Sequence, residues 1–73
     1  MPNQREAMQP HEQRVVDEKK ELDEKLTKLT SFISSSPIFS GLDPVDQDLL
    51  RDQRGTMNSY SEILAQRIAR FAS

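Results

Sequence analysis

Val15, Leu22, Leu26, Leu29 and Ile33 recur at steps of seven, four, three and four. That is a heptad seam, the spacing that keeps one stripe of a helix facing a partner helix. Val16 and Phe32 widen the stripe on either side. Its outer face carries Glu21 and Lys25, then Glu24 and Lys28, each in the acid-before-base order at i,i+4. Such pairs support a helix by about 0.2–0.5 kcal/mol each. Pro10 suits a first helical turn, where its missing N–H loses nothing. The spacing predicts a helix over about 10–35, preceded by an aperiodic, mobile lead-in over residues 1–9.

The helix is expected to stop in "SSSPIFSGLDP". Pro37 disfavours helical geometry at Ser36, the serines offer competing local hydrogen bonds, and Gly41 permits a left-handed turn. Ile38, Phe39 and Leu42 are too apolar for a solvated linker, and are expected to fold back as a plug over the bundle end. Asp43 reads as an N-cap, with Pro44 at the first helical position and Asp46 and Asp48 in the positive first turn. The turn then covers 36–43 and a second helix runs from 44 to about 71. Its stripe is Leu49/Leu50, Gln53, Met57, Tyr60, Leu64, Arg67/Ile68 and Phe71. Gly55 lies inside it, at a cost of roughly 1 kcal/mol relative to alanine.

These elements specify an all-α chain: a single domain over 10–73, folded as an antiparallel helical hairpin. Setting Ile33 opposite Leu50 pairs Leu26 with Met57, Leu22 with Tyr60, Lys19 with Leu64, and Val15/Val16 with Arg67/Ile68. A chain of 73 residues buries little core and usually needs a disulfide, a metal or oligomerisation. It has no cysteine and one histidine, His11, which leaves association. Both stripes are wider than one seam, so a four-helix homodimer or a larger homo-oligomeric bundle is expected. A net charge of −2 argues against a nucleic-acid partner. No apolar run approaches the roughly 18–20 residues of a membrane span, and no leader-like core precedes the helices. The expected address is the cytoplasm.

Lys19, Gln53 and Arg67 are the polar residues on these apolar stripes. The register gathers Lys19 and Arg67 at one open end with Arg14, Arg70 and His11, and puts Tyr60 one to two turns inward. Arginine forks fit phosphate or carboxylate, and a tyrosine stacks on a flat ring or donates its hydroxyl. Arg14, Lys19, Tyr60, Arg67 and Arg70 are therefore the candidate contacts for an anionic, ring-bearing ligand such as a nucleotide. The competing account is structural: Arg67 snorkels or pairs with Glu12 or Glu18, and the polar seam residues fix register. There is no glycine-rich phosphate loop, no nucleophile beside a base and no metal-ligand set, so no enzyme, cofactor or metal is expected. The Asp43, Asp46 and Asp48 run lacks the spacing of a calcium loop.

"RVVDEKKELDEKLTKLTSFI", a proline-and-glycine turn and "LLRDQRGTMNSYSEILAQRIARF" together resemble short helical-hairpin proteins of tailed bacteriophages, over about Arg14 to Phe71. The residues carrying the likeness include Arg14 and Val15, Glu18 and Lys19, Glu21 and Leu22, and Gln53, Met57, Tyr60, Leu64, Arg67 and Ile68. Small phage proteins of comparable size include counter-defence sponges. The resemblance implies a non-enzymatic oligomer in the host cell cytoplasm that sequesters a cyclic or ADP-ribose-type nucleotide signal of bacterial immunity. The alternative is a protein-interaction module that inhibits a host enzyme or defence protein through a helical face.

Overall fold

The computed structural model describes residues 9–71, and the regular structure among them is helical: α1 (Pro10–Ser35), α2 (Pro37–Ser40) and α3 (Pro44–Phe71). Of the expected lead-in, Gln9 alone falls within the described residues. Its extended backbone opens α1, its N–H donates to Glu12 Oε1 at 2.8 Å, and Pro10 follows at the first helical position. One donor at the helix start is thereby satisfied by a side chain rather than by water.

α1 ends where Ser36 turns extended (ψ 127°), the geometry that a following proline imposes. Ser35 Oγ and Ser34 Oγ both donate back to the Ser31 carbonyl, at 2.8 and 3.4 Å. Inside the segment read as a turn, a one-turn helix forms. Ser36 Oγ accepts the Ile38 N–H at 3.2 Å, with Pro37 as the first residue of α2. Gly41 corrects the left-handed expectation, because its φ and ψ are −88° and −5°. Its N–H donates to the Ile38 carbonyl and the Leu42 N–H to that of Phe39, each at 3.1 Å. Those tight i→i+3 closures need right-handed geometry.

Only part of the expected plug is buried. Phe39 is 4% exposed and meets Phe32 edge-on at 5.9 Å, while Ile38 remains 68% exposed. The Arg51 guanidinium lies 5.2 Å over the Phe39 ring and also reaches Asp48 at 3.2 Å. Asp43 caps α3 by accepting the Val45 N–H at 2.8 Å. Gln47 then clamps the link from within α3, donating to the carbonyls of Leu42 at 3.0 Å and Ser40 at 3.3 Å.

α1 and α3 pack together along a rod of 56 × 17 × 15 Å. Two helices make a layer with no deep interior, so few side chains lose all contact with water. Val15, Leu22 and Leu64 form the buried cluster, with Met57, Ile68 and Phe71 against it. Leu26, Leu29, Ile33 and Leu50 are half-buried. Tyr60, expected in the core opposite Leu22, is instead 41% exposed, and its neighbour Ser61 is the buried residue at 7%. One residue is about 100° of helix rotation. Facing Leu64 and Ser61 towards α1 therefore turns Tyr60 to the side. Among the described residues the expected pairs Glu21–Lys25 and Glu24–Lys28 do not form, whereas Lys19–Asp23 and Arg51–Asp48 do.

Candidate ligand site

Lys19 sits on the α1 stripe with its side chain mostly covered, and its Nζ donates to Asp23 Oδ2 at 2.6 Å. Asp23 Oδ1 accepts from Ser61 Oγ at 2.5 Å, across from α3. One carboxylate thus ties the two helices through a lysine and a serine. The Lys19 hydrogen bond first, and the Ser61 hydrogen bond second, hold the Asp23 carboxyl below its usual range, against a smaller desolvation effect. A carboxylate lowered in this way is a weak base, so Ser61 is not an activated nucleophile. Lys19 and Asp23 line an open groove of about 470 Å³ with Val16, Lys20, Thr27 and Ile68.

Helix rotation divides the expected ligand set. At about 100° per residue, Ser61 and Arg54 lie to one side of the Met57–Leu64 stripe, and Tyr60, Ile63 and Arg67 to the other. On α1, Lys19 and Asp23 lie on the Ser61 side of the Val15–Leu22 stripe and Arg14 on the opposite side. Lys19 therefore belongs to the groove, while Arg14, Tyr60 and Arg67 share the other flank and Arg70 continues it. Arg14 and Arg67 are exposed, and neither is in an ion pair among the described residues. The expected structural pairing of Arg67 with Glu12 or Glu18 is not made. Gln53 is exposed too, reaching Met57 Sδ at 3.9 Å within α3, so it does not set the register between the helices of this chain. His11 is exposed in the first turn of α1.

Sequence reasoning passed over a second groove, of about 410 Å³, lined by Leu26, Thr30, Arg54, Gly55 and Asn58. Arg54 is half-buried there, and Asn58 Nδ2 donates to Glu62 Oε1 at 3.1 Å. A Cβ at Gly55 would have no atom within 4 Å, so no close crossing inside the chain requires the glycine. It also passed over Asp23 and Ser61. The available signals were weak: Lys19 stands four residues before Asp23, and Ser61 is a small residue between Met57 and Leu64.

Among the described residues, no group of three or more His, Asp or Glu could hold a metal ion, and no helix is long and apolar enough to cross a membrane. The geometry is that of a slender two-helix scaffold with open grooves on one side and exposed cations beside an apolar strip on the other. A family model described as Sequestin matches residues 9–70, covering α1, α2 and nearly all of α3. The chain belongs to the Sequestin family. The name of the Sequestin family denotes sequestering, a binding role rather than a catalytic one. No curated protein and no solved structure matches the chain.

Proposed function

We propose that this chain is a phage-encoded, non-enzymatic counter-defence protein of the host cell cytoplasm. Its two long helices run as an antiparallel hairpin that assembles into a homo-oligomer. The assembly captures an anionic nucleotide-type immune signal, of a cyclic or ADP-ribose kind, at a site between subunits. Arg14, Arg67 and Arg70 hold phosphate there, Tyr60 stacks on a ring or donates its hydroxyl, and Lys19 is the cation of the groove side. The observation that carries this reading is membership of the Sequestin family across both helices. The flank that puts Tyr60 beside Arg67 supports it, because an exposed guanidinium next to a phenol is a matched set for phosphate and base.

The test is native mass spectrometry of the oligomer taken from infected cells, followed by titration calorimetry with cyclic and linear nucleotides on wild type and Arg67→Ala. A small molecule travelling with the wild-type oligomer, and lost in a variant that stays assembled, is the expected result. A wild type that binds none of the nucleotides, with a variant that falls apart, removes the proposal and makes Arg67 structural. A second reading, a module that occludes a host protein, is favoured by the apolar side chains that α3 turns outward. It predicts a stoichiometric host protein, and no small molecule, in the same spectra.

A further inference from the structure

Besides the stripe buried against α1, α3 carries a second one. Val45 is 65% exposed, Leu49 59%, Tyr60 41% and Ile63 54%. With Gln53 and Thr56 between them and Arg67 at the end, these residues fall at steps of four, four, three, four, three and four. From Leu49 onward that is again heptad spacing, rotated about a quarter turn from the core stripe, and it is what a helix shows when a second helix lies on it. Scattered exposed apolar residues are ordinary, but four of them on one face along about five turns are not.

We infer that a second copy of this chain covers the stripe, with the two α3 helices antiparallel about a two-fold axis at Thr56. The inference rests on the oligomer proposed above and specifies its interface. Charge selects the direction. The stripe is flanked by Asp52 and, at its N-terminal end, by Asp43 and Asp46; at the other end stand Arg67 and Arg70. A parallel pairing sets Arg67 beside its own copy and Asp52 beside its own copy, and like charges at such positions destabilise. The antiparallel pairing separates each like pair and brings the arginine end of one α3 to the acidic first turns of the other. It also sets Leu49 by Ile63 of the second copy, Gln53 by Tyr60, Thr56 by Thr56, and Val45 by the stem of Arg67. The polar middle then falls on the axis, where a closed two-fold contact needs a residue compatible with itself. Tyr60 and Arg67 both belong to this seam, so the ligand site of the proposed function falls between the two copies, as two separate sets towards opposite ends of the seam rather than one merged cluster.

The chain has no cysteine, so single thiols report the geometry directly. Thr56→Cys is expected to give a covalent dimer under mild oxidation, since residues at the axis bring their Cα atoms within about 7 Å, the reach of a disulfide. Thr56 is exposed, and circular dichroism checks that the variant folds. Mixing Leu49→Cys with Ile63→Cys is expected to cross-link several-fold more than either alone, and Glu24→Cys, on the groove side of α1, is the background. Thr56→Cys at the Glu24→Cys level, or Leu49→Cys linking best to itself, overturns the seam. Because sedimentation is measured on the same samples, an oligomer with the wrong cross-links rejects this interface alone, whereas a monomer rejects the assembly beneath it as well.

Discussion

Asp23 accepts from Lys19 in its own helix and from Ser61 in the other, so one side chain couples helix register to charge. Both hydrogen bonds favour the ionised form and lower its pKa in the folded chain. A lowered folded-state pKa means that the stabilisation is fully present above the unfolded value, about 3.9, and is lost as pH falls through the folded value. The thermal midpoint of the wild type is therefore expected to fall on acidification below about pH 4. Asp23→Asn should start lower at neutral pH and lose less on the acid side. Melting curves across that range check it; equal acid slopes in the two proteins would show that Asp23 adds nothing. The group is partly exposed and the effect correspondingly modest, because solvent screens it.

At the scale of elements, α3 carries one fully buried side chain, Leu64, at 0% exposure. Leu64→Ala is expected to cost about 2–5 kcal/mol in urea melts, since the cavity cannot close around both helices. Leu26→Ala and Met57→Ala fall towards the low end of that range, because both side chains are only half-buried in the chain itself. Lys25→Ala on the outer face should change little. Surface-like costs at Leu64 would mean that the helices do not pack as described. Gly55→Ala is expected to stabilise by roughly 0.5–1 kcal/mol, because a mid-helix glycine is flexible when unfolded and the new methyl meets nothing within 4 Å. A loss of stability there would point to something lying against the glycine outside the chain. α2 is held differently, by the Ser36 cap, the Phe32–Phe39 contact and the Gln47 clamp.

The whole molecule is a rod two helices thick, with its core drawn along a line rather than into a centre. Such a chain gains little stability alone, which motivates the expectation of self-association. Sedimentation at micromolar concentration is expected to show an oligomer, and the thermal midpoint should rise with protein concentration, as mass action requires of coupled folding and assembly. A monomer of ordinary stability, with a midpoint independent of concentration, would leave the apolar strip of α3 needing another explanation.

The helical class was legible in the sequence because periodicity and end signals agree locally. The seam from Val15 to Ile33, Pro10, Pro37, and Asp43 before Pro44 each act within a few residues of themselves, so no distant contact is needed to read them. The spacing also located Leu22, Met57 and Leu64 on their stripes. It could not decide the rotation of α3 to within one residue. Tyr60 and Ser61 stand side by side, and a hydrophobic pattern ranks the tyrosine as core and the serine as surface. The tertiary structure reverses that order because Ser61 finds a carboxylate across the interface, whereas a tyrosine in its place would have to fit between helices only one side chain apart. The same rotation separates Lys19 from Tyr60 and Arg67, residues that a linear register had put together. Local chemistry determined which segments are helices; contact between them decided which faces they share.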